Sequence, residues 1–537
     1  MEDAFAFNLL RRIALGDSLR RTARRYPDRE AVVDGNQRVT YRELDRLANR
    51  FANALLAGGY PKGTVVAFAS LNCLEFFVAL YGTVKAGLVF LPVNPFFKPE
   101  EMAYAVNNAR ARVFLFDGRL VPFLQGALPK FESVDRILCF RLDSDEYAGF
   151  NSFLQSGSPE EPRVILDDND VALMLYTGGT TRFPRAAQLT HLNLFCVVSS
   201  VLIDLPCSFR DKSLAVMPLF HVAACAYSLM CLFVGGTVVV LPRVDMKEIL
   251  ETVQREKITL IVLLPPLYRQ MLDHPDFGKY DLSSIRLATY FAAVMPENLL
   301  HELMEKLCPN LCLMFGQTEM SPSVTVFKPE DQLRKKKSLG NPTVHVEIAV
   351  MDEAGNLLPP GQVGEFVYRA PTVMKGYFNN DEENEKAFRY GWFHSGDMGY
   401  LDEDHYVYFV DRKKDMIKTG GENVASIEVE KTIYEDPRVQ EVCVVGLPHD
   451  RWIEAVTAFV TPKPGAVIRE DEILALCKSK MAGFKVPKKV VLLDDLPRSS
   501  VGKVLKYRLK DLYKHLYRGD SHASVAGAAG PERQGRR

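Results

Sequence analysis

The sequence carries almost no net charge and lacks the cysteine spacings of a metal-binding or disulfide-rich scaffold. Lys and Arg total 66 against 67 Asp and Glu, which gives a formal net charge of −1 over 537 residues. Without a basic field the chain has no general attraction for nucleic acid. The 10 cysteines are scattered and contain no CxxC pair. This arrangement argues against zinc-ribbon or zinc-finger ligation and predicts reduced, mostly buried thiols.

Long uncharged runs are also scarce, and the one of membrane-spanning length is interrupted. No charged residue occurs between His221 and Arg243. Gly235-Gly236 divides this run, and the part that follows is β-branched and ends at Pro242. We therefore predict a buried helix, a turn and a buried strand, with no transmembrane segment. The N-terminus lacks the order of a secretory signal, so a cytoplasmic protein is expected.

Length and patterning predict an α/β fold with two domains. Hydrophobic residues make up 47% and charged residues 25%, as in ordinary globular proteins, and 537 residues exceed what one core organises. Strand-like apolar runs alternate with helical segments, which favours parallel-rich sheets covered by helices. These runs are 65–69, 89–93, 113–116, 171–176 and 260–264. A capping box at Thr40–Glu43 opens an amphipathic helix that ends at Gly58-Gly59.

A charged stretch at residues 411–415 marks the predicted domain boundary. We expect a large domain over 1–411 and a small, mobile α+β domain over 412–518. The small domain is predicted to contain strands at 439–445 and 455–460 and a helix from Glu470. Residues 519–537 have no apolar period and are predicted to be disordered.

The segment after the run 171–176 has the composition of a phosphate-binding loop. It consists of Thr177, Gly178, Gly179, Thr180, Thr181, Arg182, Phe183, Pro184 and Arg185. Glycines allow backbone N–H groups to approach an anion, hydroxyls donate hydrogen bonds, and a guanidinium adds charge. The order differs from the GxxxxGK[ST] P-loop. By itself the segment also fits an ordinary Gly/Thr turn.

Further segments follow this loop in an order that resembles the adenylate-forming (AMP-binding) superfamily over about residues 30–515. The superfamily includes acyl-CoA synthetases and 4-coumarate-CoA-ligase-like enzymes. The segments are Leu189-Thr190-His191, Pro218-Leu219-Phe220-His221, Phe315-Gly316-Gln317-Thr318-Glu319, Gly376-Tyr377, Trp392-Phe393-His394-Ser395-Gly396-Asp397, Asp411-Arg412-Lys413-Lys414-Asp415, Gly420-Gly421-Glu422-Asn423 and Pro497-Arg498-Ser499-Ser500-Val501-Gly502-Lys503.

The resemblance implies a large domain with a small mobile one and an acid–thiol ligase that uses ATP, Mg²⁺ and coenzyme A. It assigns the loop Thr177, Gly178, Gly179, Thr180, Thr181 and Arg185 to the ATP phosphates. It further assigns Phe315 to adenine, Thr318 to the α-phosphate, Glu319 to Mg²⁺, and Asp397 and Arg412 to the ribose. The reaction requires only positioning and charge stabilisation of a carboxylate attacking the α-phosphate.

The resemblance also implies that two faces of the small domain act in turn. Lys503 would bridge the carboxylate and the α-phosphate during adenylation. A rotation hinged at Lys414 would then replace it with the face that carries Lys418, Gly421 and Asn423 for thiol transfer. His221 would lie beside the acyl carboxylate as a gate.

Several positions depart from the family pattern. Arg182 and Ala186 stand where the family has glycine, and Arg185 replaces a lysine, which changes donor geometry but keeps the charge. Tyr290-Phe291 replaces the glycines that flank adenine. These changes leave open a second function, a non-catalytic protein that binds nucleotide or acyl ligand. The presence of Glu319, Asp397, Arg412 and Lys503 favours the enzyme.

The sequence favours a medium- or long-chain fatty acid as the substrate, with an aryl acid as the alternative. The small residues Ala223, Ala224 and Cys225 would leave room for an extended chain if they line the pocket, although core packing explains them equally well. No carrier domain follows Lys503, which argues against a peptide-synthetase module. The acceptor thiol is coenzyme A or a carrier protein, and a homodimer is left open.

Overall fold

The computed structural model describes residues 3–142, 146–177, 184–291, 295–449, 451–498 and 504–517. Packing divides the chain into two units. The first comprises Met1–Ser395 with Gly399–Phe409, and the second comprises Gly396–Met398 with Val410–Arg537. The division falls two residues before the predicted boundary at 411/412. The predicted disordered tail, 519–537, lies outside the described residues.

The first 21 strands lie mainly in the first unit, and the last of them, β21, continues to Arg412. In chain order they are β1 (Glu30–Asp34), β2 (Gln37–Thr40), β3 (Val65–Ala69), β4 (Val89–Val93), β5 (Val113–Asp117), β6 (Arg136–Phe140), β7 (Ala148–Gly149), β8 (Val171–Thr177), β9 (Arg185–Thr190), β10 (Lys212–Ala215), β11 (Thr237–Val240), β12 (Leu260–Leu263), β13 (Leu287–Phe291), β14 (Leu311–Gly316), β15 (Ser323–Phe327), β16 (Asn341–Pro342), β17 (Glu347–Met351), β18 (Gly364–Arg369), β19 (Gly376–Tyr377), β20 (Phe393–Leu401) and β21 (Val407–Arg412).

The helices of this part alternate with the strands. They are α1 (Ala4–Leu9), α2 (Leu15–Arg25), α3 (Tyr41–Ala57), α4 (Leu74–Lys85), α5 (Pro99–Asn108), α6 (Val121–Leu124), α7 (Phe150–Ser156), α8 (His191–Asp204), α9 (Val222–Val234), α10 (Met246–Glu256), α11 (Pro265–Leu272), α12 (Glu297–Lys306) and α13 (Asp381–Ala387). The structure confirms the alternation of strands and helices that the sequence predicts.

Two large sheets carry the first unit. One has the order β16-β15-β14-β13-β12-β10-β11-β1-β2, and the other has the order β19-β9-β8-β4-β3-β5-β6-β7. A smaller sheet has the order β17-β18-β20-β21. In the second large sheet β3 pairs in parallel with β4 and β5, and β4 pairs in parallel with β8. All five predicted apolar runs are strands, because each must be buried on both faces of a sheet.

Local sequence signals explain the ends of α3. The side chain of Thr40 accepts a hydrogen bond from the Glu43 backbone N–H, and the Glu43 carboxylate accepts one from the Thr40 N–H at 2.7 Å. The predicted capping box is therefore present. Leu44, Phe51 and Leu55 lie on its buried face, and the helix ends at its C-cap Gly58, as predicted.

The long uncharged run is a helix followed by a strand, as predicted. Helix α9 ends at Gly235, which has a left-handed backbone (φ 90°), and β11 follows at Thr237. A Cβ atom at Gly235 would lie 2.4 Å from the Tyr26 ring, so only glycine fits this turn. Within the described residues, none of the helices combines the length and the apolar character needed to cross a bilayer.

The described residues of the second unit form a mixed sheet and three helices. The strands are β22 (Ile417–Thr419), β23 (Glu422–Val424), β24 (Val439–His449), β25 (Ile453–Pro462) and β26 (Lys489–Leu492), and the helices are α14 (Ser426–Ile433), α15 (Glu470–Lys480) and α16 (Lys506–Tyr513). The sheet order is β23-β22-β25-β24, and β26 pairs in parallel with β25. Its core is aliphatic and includes Val444, Val456 and Ile473.

The cysteines behave as small apolar residues. All ten are free, and nine are buried, with Cys207 partly exposed. This confirms the prediction of reduced thiols in the core.

Candidate active site

Strands β8 and β9 are the two arms of the predicted phosphate loop. They pair antiparallel, and Thr177 at the end of β8 lies opposite Arg185 at the start of β9. The Thr177 hydroxyl donates to the Arg185 carbonyl at 3.4 Å. The buried hairpin therefore fixes both ends of the loop. Four loop residues lie outside the described part of the chain, namely Gly178, Gly179, Thr180 and Thr181. Their assignment to the ATP phosphates stays a prediction.

Arg185 is held by side chains rather than left in solvent. Its guanidinium pairs with the Glu383 carboxylate and lies over the Tyr377 ring, 4.3 Å from the ring centroid. Its Nε atom is buried and has no hydrogen-bond partner among the described residues. A buried guanidinium N–H of this kind lacks an acceptor, and an oxygen of an anion could supply one.

Glu319 follows β14 in a short 3₁₀ turn that also contains Thr318. Its side chain is buried, and its Oε1 accepts a hydrogen bond from the Tyr377 hydroxyl at 2.7 Å. Burial, together with the nearby Glu319 charge, raises the pKa of Tyr377, so its phenol keeps its proton and remains a donor. Gly376-Tyr377 is one of the motifs in the sequence, but the sequence does not predict that the Tyr377 side chain contacts both Glu319 and Arg185.

Close backbone packing positions the segment that precedes Glu319. A Cβ atom on Gly316 would lie 1.8 Å from the Pro322 carbonyl oxygen, so the chain can turn back on itself here only because residue 316 is glycine. The Phe315 ring is partly exposed and lies 6.4 Å from the Phe409 ring, centroid to centroid. The sequence did not predict this second aromatic ring beside Phe315, and the assignment of Phe315 to adenine stays a prediction.

His221 immediately precedes α9 as its N-cap residue. Its side chain is exposed, and its ring lies 4.7 Å from the ring of Phe220. It is not a buried structural histidine. The position leaves the imidazole accessible to a ligand, as a gate requires.

A small apolar cavity, with about 10 Å³ of open space, lies between α8, α9 and the facing ends of β14 and β15. It is lined by Val197, Val198, Val201, Ala226, Tyr227, Met230, Met314, Pro322 and Ser323. Ala223, Ala224 and Cys225, the small residues that would leave room for an acyl chain if they lined the pocket, are not among the lining residues. Ala224 and Cys225 pack in the core instead, and the next turn of α9 lines the cavity.

Asp397 and Arg412 form an ion pair inside the second unit. The Arg412 Nε lies 2.7 Å from Asp397 Oδ1, and Asp397 is buried whereas Arg412 is about half exposed. Gly396 has φ +73°, and its carbonyl accepts a hydrogen bond from the Lys413 N–H at 2.9 Å. The two side chains predicted to share the ribose are therefore adjacent. The grouping of Asp397 with the second unit was not predicted from the sequence.

The hairpin of β22 and β23 carries the residues predicted for the thiol-transfer step. Lys418 pairs in register with Asn423, and both side chains are exposed. Gly420 and Gly421 form the turn with φ of +61° and +89°. The Lys418 backbone N–H donates to the Glu454 carboxylate at 2.8 Å. The hairpin displays a lysine, an amide and a glycine turn on one exposed surface.

Lys503 lies outside the described residues, and its role stays a prediction. The two flanks of its loop are described and meet. Arg498 and Val504 form an antiparallel bridge, and the Leu505 N–H donates to the Pro497 carbonyl at 2.7 Å. Within the described residues there is no group of three or more side chains able to hold a metal ion. The assignment of Glu319 to Mg²⁺ stays a prediction; nucleotide sites bind this ion through one or two carboxylates together with substrate phosphates.

Comparison with known proteins agrees with this arrangement. Residues 19–378 match the family described as AMP-binding enzyme, and residues 428–503 match its C-terminal domain. A feruloyl-CoA synthase of an Amycolatopsis species is 34% identical over 500 residues, covering 93% of this chain and 98% of the relative. The long-chain-fatty-acid–CoA ligase FadD13 of Mycobacterium tuberculosis is 31% identical over 506 residues, covering 93% and 98%.

Solved structures show the same fold. The ATP-bound structure of MatB from Rhodopseudomonas palustris matches with a TM-score of 0.84 and 29% identity, covering 94% of this chain and 100% of that one. The predicted fold class is confirmed. The chain belongs to the AMP-binding, adenylate-forming enzyme family and is an AMP-forming acid–thiol ligase of its acyl- and aryl-CoA ligase group.

Proposed function

We propose that this enzyme activates a compact, largely apolar carboxylic acid as its acyl-adenylate and transfers the acyl group to coenzyme A. The observation that carries the choice of acid is the apolar cavity between α8 and α9. Its open space is far smaller than the roughly 300–1,000 Å³ of typical small-molecule sites, so its apolar lining must move apart to admit an acyl group. An aryl or medium-chain acyl group would require less displacement of this lining than a long fatty chain, which favours the lower end of the predicted fatty-acid range and the aryl alternative.

In the first half-reaction a carboxylate oxygen of the acid attacks the α-phosphorus of ATP, and pyrophosphate leaves. The phosphate loop at Thr177 and the Arg185 guanidinium would hold the departing phosphates, and the Nε–H, which has no partner among the described residues, would be directed to one oxygen. Mg²⁺, when bound at Glu319, neutralises charge on the phosphates. The Tyr377 hydroxyl holds the Glu319 carboxylate in one orientation.

The nucleoside and the reacting groups would be held by residues from several segments. Phe315 would stack on adenine and Thr318 would donate to the α-phosphate. The Asp397 carboxylate would accept from the ribose hydroxyls, and its partner Arg412 would donate to the same sugar. Lys503 would neutralise charge between the carboxylate and the α-phosphate.

In the second half-reaction a thiolate attacks the acyl carbon, and AMP leaves with the oxygen that came from the acid. The hairpin residues Lys418, Gly421 and Asn423 would line the path of the thiol once the second unit has rotated. His221, exposed at the start of α9, would gate access to the acyl group. A non-catalytic binding protein is less well supported, because the Glu319–Tyr377 and Asp397–Arg412 pairs hold side chains that an adenylating enzyme would use.

A panel of acids with release of AMP as the readout tests the proposal. Compact aryl acids and C6–C10 fatty acids should support coenzyme A-dependent AMP release with higher kcat/KM than C16–C18 acids. A strong preference for C16–C18 acids would contradict the size argument. Absence of AMP release with every acid would favour the binding protein.

A further inference from the structure

Asn72 is a buried asparagine that connects the two large sheets of the first unit. It lies between β3 and α4, just beyond the carboxyl end of β3, and is 4% exposed. Its side-chain NH₂ group donates to the carbonyls of Ala215 at 3.2 Å, Met217 at 3.0 Å and Leu241 at 3.2 Å. Its Oδ1 accepts a hydrogen bond of 2.8 Å from the Leu219 N–H. The amide has one favourable orientation, because a flip would turn its oxygen toward three carbonyls.

Two of these contacts fix the ends of neighbouring strands. Ala215 is the last residue of β10, and Leu241 directly follows β11. The two strands pair in parallel, and the Leu241 N–H donates to the Ala215 carbonyl at 3.1 Å. Asn72 thus holds the carboxyl end of β3 in one sheet against the carboxyl ends of β10 and β11 in the other. Open α/β sheets bind their ligands at the carboxyl ends of their strands.

The other two contacts fix the turn that carries His221. Met217 and Leu219 flank Pro218, whose carbonyl accepts a hydrogen bond from the His221 N–H at 3.0 Å. Pro218 has no N–H group of its own, so the Asn72 amide supplies polar contacts on both sides of it. The turn, and with it the start of α9, therefore depends on Asn72 for its position.

We propose that Asn72 is a positioning residue for the proposed gate, His221. It acts through the turn at residues 218–221 and not by contact with the reacting groups. The inference rests on the proposed function, because it deepens the role given there to His221. When the amide is shortened, the Met217 carbonyl and the Leu219 N–H lose their partner inside the protein, and the turn relaxes to satisfy them. The imidazole then leaves the place from which it gates the acyl group.

Steady-state kinetics of AMP release by the full chain test this role, with cinnamate and octanoate as the acids. Asn72→Ser has a shorter side chain that cannot reach the same four backbone groups. Its kcat/KM for the acid should fall by about tenfold, equivalent to about 1.4 kcal/mol. Its KM for ATP should stay unchanged, because Asn72 acts on the turn that carries the gate.

Asn49→Ser is the matched control. Asn49 is also 4% exposed, and its side-chain NH₂ donates to a backbone carbonyl, that of Pro159, at 3.0 Å. No residue assigned to the reaction lies in either contacting segment. The substitution should therefore lower the thermal unfolding midpoint, as in Asn72→Ser, but leave kcat/KM for the acid unchanged.

A double-mutant cycle with His221→Ala shows whether Asn72 acts through His221. If it does, His221→Ala lowers kcat/KM for the acid in the unmodified enzyme but adds less than about a twofold loss in the Asn72→Ser background. If Asn72→Ser does not fold, Asn72→Asp takes its place in the cycle. It keeps the size of the side chain but turns an oxygen toward the carbonyls of Ala215, Met217 and Leu241.

The outcomes separate this inference from the proposed function. Losses that multiply in the double variant, or a loss of stability in Asn72→Ser without a change in kcat/KM, overturn the positioning role and leave the proposed function intact. An unchanged kcat/KM in His221→Ala overturns the gate role of His221 and this inference together, while acyl activation stands. No AMP release with any compact acid overturns the proposed function and the inference with it.

Discussion

Replacing Tyr377 with phenylalanine would remove one hydroxyl from the candidate active site and little else. The hydroxyl donates to Glu319 Oε1 at 2.7 Å, and the ring lies beneath the Arg185 guanidinium at 4.3 Å. Phenylalanine keeps the ring, so the stack on Arg185 survives. Glu319 is buried, and its carboxylate then loses a donor that solvent cannot easily replace.

The size of the effect follows from the kind of hydrogen bond that is lost. Hydrogen bonds to charged groups contribute about 1.5–3 kcal/mol, which corresponds to about a tenfold to 150-fold change in an equilibrium. If Glu319 binds Mg²⁺ with the ATP phosphates, Tyr377→Phe should raise the Mg²⁺ concentration for half-maximal rate by about this factor. The rate at saturating Mg²⁺ should fall less, because Tyr377 acts through Glu319 and not on the reacting atoms.

The assay is AMP release as a function of Mg²⁺ at saturating ATP, acid and coenzyme A. Tyr268→Phe is the control, because it also removes a buried hydroxyl, one that donates to the Thr289 carbonyl at 2.8 Å. It should lower the thermal unfolding midpoint without changing the Mg²⁺ dependence. An unchanged Mg²⁺ dependence in Tyr377→Phe would refute the positioning of Glu319 by this hydroxyl.

Three further predictions concern stability and the reaction steps. Burial lowers the pKa of His191 to about 4, so the folded protein favours the neutral imidazole. The free energy of unfolding is therefore unaffected by this group above about pH 6.5 and falls by about 3 kcal/mol as the pH drops toward 4. Thermal unfolding of His191→Asn should be less sensitive to acid than that of the unmodified protein. Gly316→Ala should lower the unfolding midpoint by several degrees and abolish AMP release, because the alanine Cβ would clash with the Pro322 carbonyl. Gly278→Ala is the control, since the space around Gly278 is open, and it should have neither effect. Lys503→Ala should abolish adenylate formation and largely spare thiolysis of supplied adenylate, and equal loss of both steps would contradict its assigned role.

Much of the fold could be predicted because its strands are buried on both faces. The runs that form β3, β4 and the first four residues of β5 are wholly apolar, and the capping box and glycines of α3 mark a helix at both ends. Periodicity could not give the order of the sheets, since it reports burial and not which strand is the neighbour. It also could not show that Gly396–Met398 packs with the second unit, because that grouping depends on tertiary contacts.

The candidate site was predictable where a motif fixes a residue and its chemistry together. Glu319, Asp397 and Arg412 belong to motifs, and the structure shows a specific partner for each. The partner of Glu319 was not predictable, because Tyr377 lies 58 positions away in the sequence and meets Glu319 only through the fold. The sequence left open whether Ala223, Ala224 and Cys225 line a pocket or pack in the core, because helical spacing alone does not tell which face of a buried helix meets a cavity.

Oxygen tracing tests the central claim, acyl transfer through an adenylate, most directly. The enzyme is given an acid labelled with ¹⁸O in both carboxylate oxygens, together with ATP, Mg²⁺ and coenzyme A, and the products are analysed by mass spectrometry. Attack of the carboxylate on the α-phosphorus predicts one ¹⁸O atom in AMP and none in pyrophosphate. Label in inorganic phosphate or pyrophosphate, with AMP unlabelled, would contradict the account.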